Sequence, residues 1–207
     1  MIKYSEENLF EKTNGKYNLS IWITDKESEK KSIIEKMGYK KIHSEPITIF
    51  MYDKPFPERT LPKGFSIISL EDENDFDKID DCLWYGFDHG HGPAISTGLE
   101  KKDDRMQMQS GPHFRKDLTT VIKSPDGKYA CFAGMWIDEQ NKYAYLEPLA
   151  TVPEYRRMGL ATIALVEGMK KTKALGSEYC FGGTGEFYHD IGFKIIANRG
   201  LWKKEWN

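Results

Sequence analysis

The decisive stretch of this sequence reads Val152-Pro153-Glu154-Tyr155-Arg156-Arg157-Met158-Gly159-Leu160-Ala161. It ends a predicted strand over residues 142–152 and opens a helix for which Gly176 is the natural stop. Small and apolar residues at i, i+3 and i+4 spacing predict this helix, and lysines lie near its C-terminal end, where cations suit the helix dipole. The stripe consists of Ala161, Ala164, Leu165, Gly168, Met169 and Thr172. The sequence therefore predicts a turn from strand to helix at Arg156–Ala161.

The start of this helix has the chemistry of an anion site. A helix N-terminus offers unpaired backbone N–H groups and the positive end of the helix dipole, which together suit a pyrophosphate. Gly159 and Ala161 are small enough to let a phosphate approach the backbone, and Arg156 and Arg157 add positive charge. By spacing alone, an ordinary helix start with two surface arginines explains the same residues equally well.

Further elements are predicted on both sides of this unit. Residues 1–16 show no pattern, and residues 54–62 contain three prolines and predict a linker. Before the linker, the periodicity predicts strands over 19–24, 39–42 and 47–52 and a helix that ends at Met37. Between the linker and the central helix, it predicts strands over 65–68, 118–123 and 129–138 and a helix from about Asp72 to Phe87. At the end, it predicts strands over 179–181, 193–197 and 201–206 and a short helix over 187–191.

The composition limits the classes of function. The 207 residues are 39% hydrophobic, enough for one sizeable core, and a net charge of −2 gives no general attraction to nucleic acid or anionic membranes. No apolar run approaches the roughly 20 residues of a membrane span, and the start lacks a signal-peptide apolar region. Cys82, Cys131 and Cys180 form no CxxC pair and predict neither disulfides nor a zinc site. We therefore expect a cytoplasmic protein that binds neither nucleic acid nor membrane.

Two motifs resemble those of the GCN5-related N-acetyltransferase (GNAT) family. The acetyl-CoA motif of that family is Q/R-x-x-G-x-G/A, and Arg156, Gly159 and Ala161 fill its three specified positions. Downstream, Phe187–Phe193 is similar to the second motif of the family, a tyrosine followed four residues later by Gly-Phe. The predicted order of strands over residues 62–207 fits the family as well.

The N-terminal part contains a weak copy of the second motif. Ile34–Ile42 echoes Tyr188–Ile196, and both segments are flanked by apolar strands. This copy has Ile34 where the other has Tyr188, and it lacks a glycine-containing helix start. We therefore predict a partial, non-catalytic GNAT-like half-domain at 1–56 and a catalytic GNAT domain at 62–207. The half-domain would complete its sheet within the chain or with another chain. The second arrangement would make a homodimer.

The resemblance implies an α/β fold with a twisted mixed sheet and helices on both faces, the GNAT-like acyl-CoA N-acyltransferase fold. It implies acetyl-CoA as the cosubstrate, bound where the strands around Leu149 and Cys180 diverge. The pyrophosphate would meet the backbone of Arg157–Thr162, and the pantetheine arm would pair with the backbone of Leu149 and Thr151. The implied cofactor contacts are Leu149, Thr151, Arg156, Arg157, Met158, Gly159, Leu160, Ala161 and Thr162.

Two side chains are candidates for catalysis. An alkylamine with a pKa of about 10.4 is mostly protonated at neutral pH, so a base assists its attack on a thioester. Glu147 is the candidate base because it lies two residues before Leu149, next to Pro148. A proline cannot donate a ladder hydrogen bond, which predicts an edge, a bulge or the divergence itself. Tyr188 matches the position of the general acid in the family and would protonate the leaving thiolate. The structural alternatives are a solvent-facing glutamate and a packing tyrosine.

The acceptor site has fewer markers in the sequence. Trp84, Phe87 and His89 lie where the family places substrate-facing helices and loops, and aromatic rings there could hold a cationic amine. Core packing is the alternative for Trp84 and Phe87. Three histidines, at positions 89, 91 and 113, have no carboxylate or cysteine at a fixed spacing, so we expect no metal.

Three functions are compatible with these motifs. The first is transfer of an acetyl group from acetyl-CoA to an amine of a small molecule or peptide, by direct attack on the thioester. The second is a non-catalytic acyl-CoA sensor or interaction module, which would need neither Glu147 nor Tyr188. The third is a nucleotide-binding regulator that uses Gly182–Gly185, although that loop does not open a long helix. Because both candidate catalytic residues are present, the sequence favours the enzyme.

Overall fold

The computed structural model describes residues 1–90 and 105–207. It divides into two compact units, one made of Met1–Thr48 with Lys194–Asn207 and the other of Ile49–Phe193. The larger unit contains every residue for which the sequence predicts a catalytic or binding role. The family domains predicted at 1–56 and 62–207 stay a prediction.

The described chain contains helices and strands in the following order. They are α1 (Ile2–Asn8), β1 (Glu11–Thr13), β2 (Lys16–Thr24), α2 (Ser28–Lys36), β3 (Lys40–Met51), β4 (Ser66–Ser69), α3 (Phe76–Gly86), β5 (Thr120–Lys123), β6 (Tyr129–Asp138), β7 (Tyr143–Thr151), α4 (Leu160–Ala174), β8 (Tyr179–Gly182), α5 (Glu186–Asp190) and β9 (Lys194–Trp206). The linker predicted at 54–62 has no helix or strand.

The larger unit is a mixed sheet with helices on both faces. Its strands follow the order β8-β7-β6-β5-β4, in which β7 and β8 are parallel and the other neighbours are antiparallel. Successive residues of β6 point to opposite faces, so Met135 packs in one core cluster with Met169 of α4, whereas Phe132 packs in another with Ile79 of α3. Helices α3 and α4 therefore cover opposite faces, as expected for the predicted α/β fold.

The smaller unit has its own core. Strand β2 pairs antiparallel with β1 and with β9, in a register that places Ile23 opposite Gly200. Helix α2 contributes Ile34, which is fully buried and packs in a cluster with Ile23, Tyr39 and Trp202. This unit contains the first copy of the weak repeat.

The predicted ends of two strands, β3 and β9, were wrong because long-range pairing outweighs local turn signals. Strands β3 and β9 each run continuously, whereas the sequence predicts a break in both. In β9 the break falls at Asn198-Arg199-Gly200, but Arg199 and Gly200 pair with β2, and a Cβ on Gly200 would lie 2.7 Å from Lys41 Cε. Helix α1 forms in a segment where no pattern is visible.

Helix α3 begins at Phe76 rather than near Asp72. The side chain of Asp75 caps it by accepting hydrogen bonds from the N–H groups of Asp77 and Lys78. Asp72 instead accepts a 2.8 Å hydrogen bond from the N–H of Ser69, which closes the turn after β4. Segment 71–75 contains two aspartates, and the second of them, Asp75, is the N-cap of α3.

The two copies of the repeat have the same local geometry. Gly38 and Gly192 adopt φ angles of 89° and 110°, which favour glycine, after α2 and α5. The next residues, Tyr39 and Phe193, donate backbone hydrogen bonds to the carbonyls of Ile34 and Tyr188 at 3.0 and 2.9 Å. Both helices therefore end in the Schellman pattern. That residues 1–56 form a partial GNAT-like half-domain stays a prediction.

The cysteines and the length of the helices bear on the expectation of a cytoplasmic protein that does not bind membranes. The three cysteines are buried free thiols, as the absence of a disulfide pattern predicts. Within residues 1–90 and 105–207, no helix combines the length and the apolar character that a membrane crossing requires.

Candidate active site

A bulge in β7 presents Glu147. Leu149 pairs with Ala133 and Leu146 pairs with Met135, so Glu147 and Pro148 together face Gly134 alone. A Cβ on Gly134 would lie 2.5 Å from the carbonyl oxygen of Glu147, so only glycine fits there. The indole N–H of Trp136 donates a 2.9 Å hydrogen bond to that same carbonyl. Of the three alternatives that Pro148 left open, the structure shows a bulge, and β6 fixes its position.

Strands β7 and β8 diverge just before this bulge. Their parallel register runs from Tyr143 opposite Tyr179 to Tyr145 opposite Phe181. Strand β8 then ends at Gly182, while β7 continues for six more residues, Leu146–Thr151. The divergence starts one residue after Cys180, close to where the resemblance implies it. Leu149 and Thr151 lie in this continuing part of β7 and pair with Ala133 and Cys131 of β6.

The loop between β7 and α4 is built by backbone conformations that expose N–H groups. Arg157 and Gly159 adopt left-handed φ angles of 65° and 79°. Gly159 is the N-cap of α4 and provides no side-chain hydrogen bond to the first turn. The first N–H groups of α4 therefore have no intrahelical or side-chain cap. Leu160 and Thr162 are buried, Ala161 is half-buried, and Met158 is exposed.

Arg156 anchors this loop to the rest of the unit. Its Nε donates to the carbonyl of Thr151 at 3.1 Å, and its Nη2 donates to the carbonyl of Gly86 and to the carboxylate of Asp88, each at 3.0 Å. Gly86 is the last residue of α3, so Arg156 joins the end of α3 to the end of β7. The predicted contact of Arg156 with the cofactor stays a prediction.

Arg59 lies against the same loop and was missed by the sequence analysis. Its side-chain carbons would lie 3.6 to 4.0 Å from a Cβ on Gly159. Its side chain is exposed. A third guanidinium therefore accompanies the start of α4. The proline-rich linker gave no signal for this, because a single arginine in an irregular segment has no periodicity.

Tyr188 lies on α5, where packing fixes its ring. Its centroid is 5.1 Å from that of Phe187 and 5.4 Å from that of Phe193, both edge-on. A Cβ on Gly183 would lie 2.7 Å from Cζ of Tyr188. Burial, and after it the negative charge of the Glu147 carboxylate, raise the pKa of the Tyr188 phenol to about 12. The phenol therefore stays protonated at neutral pH, as a proton donor must.

Glu147 lines an apolar cavity of about 360 Å³. The cavity is bounded by strands β6 and β7 and by the segment before β5, and its aromatic and methionine walls include Met108, Phe114, Phe132, Trp136 and Tyr145. The hydroxyl of Tyr145 lies 3.5 Å from Oε2 of Glu147. The rings of Phe114 and Trp136 meet edge-on at 5.6 Å. Aromatic faces and one carboxylate therefore surround this space.

The three residues predicted to bind substrate form a separate cluster. His89 lies 5.1 Å from Trp84 and 6.2 Å from Phe87, measured between ring centroids. None of the three lines the cavity next to Glu147. Their role in substrate binding stays a prediction. His91 lies outside the described residues, and within those residues no group of three or more His, Cys, Asp or Glu side chains could hold a metal ion.

Comparison with known proteins identifies the family. The sequence profile of the Acetyltransferase (GNAT) family matches residues 82–186, just over half of the chain. The chain belongs to this family, which confirms the predicted family. A search of curated proteins gives no match.

Solved structures of the family have a similar fold. A GCN5-related N-acetyltransferase from Sphaerobacter thermophilus has a TM-score of 0.65 at 14% identity, over 92% of this chain and 60% of that one. A tandem GNAT protein from the clavulanic acid biosynthesis pathway has a TM-score of 0.66 at 10% identity, over 91% and 64%. A GCN5-related N-acetyltransferase from Kribbella flavida has a TM-score of 0.54 at 12% identity, over 90% and 68%. The chain spans less than two thirds of the length of the Sphaerobacter thermophilus protein and of the tandem GNAT protein. At these sequence identities, the similarity shows the fold alone.

Proposed function

We propose that this protein transfers an acetyl group from acetyl-CoA to an amine of a small molecule or peptide. The observation that carries the proposal is the bulge that presents Glu147 where β7 and β8 diverge, and the sequence selects Glu147 and Tyr188 from two separate motifs. Glu147 protrudes on a bulge where β7 and β8 diverge, and its charge acts on the Tyr188 phenol. A sensor that only bound acyl-CoA would have no need of this arrangement.

Acetyl-CoA binding is proposed along β7 and the start of α4. The pyrophosphate would accept hydrogen bonds from the first N–H groups of α4, which follow the left-handed residues Arg157 and Gly159 and receive no side-chain hydrogen bond from the N-cap. The pantetheine arm would pair with the backbone of Leu149 and Thr151, beyond the end of β8. Arg156 would keep this loop in place, and Arg157 and Arg59 would contribute positive charge near the phosphates.

The proposed reaction has one bond-forming and one bond-breaking step. Glu147 accepts a proton from the amine, directly or through water, and the neutral nitrogen attacks the thioester carbonyl carbon. The new C–N bond forms as the C–S bond breaks, the amide nitrogen releases its second proton to water, and Glu147 returns the first proton to solvent. Tyr188 then gives its phenolic proton to the departing sulfur and regains a proton from solvent. A pKa of about 12 keeps Tyr188 protonated at neutral pH, so the proton that it donates is present at the start of each cycle.

The proposal is tested with two conservative variants and a control. Tyr188→Phe should lower kcat at least about 10-fold and change the Kd for acetyl-CoA less than about 2-fold, because a general acid contributes about 100-fold or more. Tyr179→Phe, in β8, is the control and should leave both unchanged. Glu147→Gln should weaken activity most at low pH, where deprotonating the amine is hardest. Unchanged kcat in Tyr188→Phe, or an effect of Glu147→Gln that is independent of pH, would remove these roles.

We also propose a cytoplasmic setting without nucleic-acid or membrane partners. The support is a near-neutral charge and three free thiols, which suit a reducing compartment. A homodimer in which a second chain pairs with the smaller unit stays a proposal, which sedimentation of the purified protein would test.

A further inference from the structure

The cavity beside Glu147 has the size of a small-molecule site and an unusual distribution of charge. At about 360 Å³ it lies at the lower end of the range for ligand pockets, which is about 300–1,000 Å³. Among the described residues that line it, Glu147 is the one carboxylate and none is lysine, arginine or histidine. Within the described lining, a ligand therefore finds Glu147 as its single charged partner, beside apolar walls.

The other polar groups in the lining already bind protein atoms. The indole N–H of Trp136 donates to the carbonyl of Glu147 at 2.9 Å, and the hydroxyl of Thr119 donates to the carbonyl of Arg115 at 3.4 Å. Trp136 thus offers its ring rather than its N–H. A ligand with a second charge or several hydroxyls would bury polar groups without partners, which is costly.

We infer that the acceptor is a primary amine borne by an aromatic or compact apolar group. This inference rests on the proposed function, because it assigns the amine of that reaction. The ammonium or amine end lies at Glu147, next to Tyr145, and the apolar body lies against Phe114, Phe132 and Trp136. Phe114 and Trp136 pack edge-on at 5.6 Å in the wall of this cavity, and aromatic rings there suit a flat group or a cation.

An acceptor class limited to amines with an apolar body excludes diamines, amino sugars and amino acids. A diamine places a second cation among aromatic and methionine side chains, and an amino sugar places hydroxyls there. An amino acid adds a carboxylate close to Glu147, where two negative charges repel. The same chemistry could come from a free arylalkylamine or from the first residue of a peptide. The experiment therefore has an arm for each source.

The test compares acceptors with the full chain and acetyl-CoA, following release of the free thiol. The amines are 2-phenylethylamine, phenylalanine, putrescine, glucosamine and a tripeptide with N-terminal phenylalanine and an amidated C-terminus. We expect kcat/KM for 2-phenylethylamine to exceed the values for phenylalanine, putrescine and glucosamine at least 10-fold. If activity with the tripeptide is comparable to that with 2-phenylethylamine, the acceptor is the first residue of a peptide. If activity with the tripeptide is lower, the acceptor is a free amine. Equal or greater activity with putrescine or glucosamine would overturn the inference.

A pair of variants tests whether this cavity is responsible. Phe114 and Phe76 both pack partly buried against the same core cluster, but only Phe114 lines the cavity. Phe114→Ala should raise KM for 2-phenylethylamine at least 10-fold with little change in KM for acetyl-CoA, whereas Phe76→Ala should change neither more than 2-fold. Equal effects of the two variants would contradict the assignment.

Binding separates this inference from the proposed function. Isothermal titration of 2-phenylethylamine and putrescine into the protein with CoA needs no turnover. If no amine is acetylated but 2-phenylethylamine binds at least 10-fold more tightly than putrescine, the proposed function fails and the assigned ligand class stands. If acetyl transfer occurs and neither amine is preferred in binding or turnover, the function stands and the ligand class is wrong.

Discussion

The substitution Gly183→Ala should disable the enzyme by moving Tyr188. A Cβ on Gly183 would lie 2.7 Å from Cζ and 2.9 Å from Cδ2 of the Tyr188 ring, and closer still to Cε2. Carbon atoms in contact prefer about 3.5–4.0 Å, so the ring must shift by about 1 Å. It cannot simply swing away, because Phe187 and Phe193 pack edge-on against it. A catalytic group misplaced by about 1 Å can cost about 100-fold in rate.

Gly185 provides a matched control in the same loop. Its φ angle is −75°, and a Cβ there would meet nothing within 4 Å. Gly185→Ala should therefore leave kcat within about 2-fold of the wild type, whereas Gly183→Ala should lower it about 10- to 100-fold. Both variants should keep the Kd for acetyl-CoA nearly unchanged. Steady-state kinetics and titration calorimetry measure these values.

A double-mutant cycle shows whether Gly183→Ala acts through Tyr188. If it does, adding Gly183→Ala to Tyr188→Phe should cause little further loss, because the hydroxyl that it misplaces is already gone. If Gly183→Ala lowers kcat by the same factor in both backgrounds, the glycine has an independent role. If Gly183→Ala alone has wild-type kcat, the assigned position of the acid is wrong.

Three further predictions concern the bulge, the loop and the buried tyrosines. Gly134→Ala should push the Glu147 carbonyl away, lowering kcat and reducing the free energy of unfolding by about 1–3 kcal/mol in denaturant titrations; an unperturbed kcat would contradict the role of the bulge. Arg156→Ala removes hydrogen bonds to Thr151 and Gly86 and should raise the Kd for acetyl-CoA about 10-fold, whereas an unchanged Kd would show that the loop holds without it. Burial raises the pKa of Tyr52, Tyr129 and Tyr188 above the usual value of about 10. As the pH rises, the tyrosines of the unfolded chain lose their protons before those of the folded chain. The free energy of unfolding should therefore fall above about pH 10 and be insensitive to these groups below that pH. A free energy of unfolding that is constant from about pH 9 to 11.5 would refute this prediction.

The parts of the site that were predictable from the sequence are carried by short local motifs. Tyr188 precedes Gly192, whose left-handed conformation ends α5, and both belong to one seven-residue segment. Gly159 likewise adopts the conformation that a tight strand-to-helix turn requires. Glu147 was proposed because it lies two residues before Leu149, next to Pro148, and the structure places it on a bulge. In each case the signal and the structure lie within a few residues of each other.

The remaining parts depend on contacts between distant segments. Gly134 matters only because the register of β6 places it opposite the bulge, and no local pattern fixes that register. Arg59 reaches Gly159 from a segment 100 positions earlier, and Phe114 meets Trp136 from an irregular segment. Trp84, Phe87 and His89, which were chosen by their position in the sequence, cluster at the end of α3, and their role in substrate binding stays a prediction. Which aromatic side chains line a cavity is decided by tertiary packing.

The most direct test of the account is binding of acetyl-CoA, measured by isothermal titration with adenosine diphosphate as the reference ligand. Ala161 is half-buried in the first turn of α4, so Ala161→Glu would put a carboxylate next to the pyrophosphate, whereas Ala174→Glu puts one at the exposed last residue of the same helix. We predict a micromolar Kd for the wild type and for Ala174→Glu, weaker binding of adenosine diphosphate, and no binding by Ala161→Glu. Binding that survives in Ala161→Glu, or a wild-type protein that does not bind acetyl-CoA, would contradict the account.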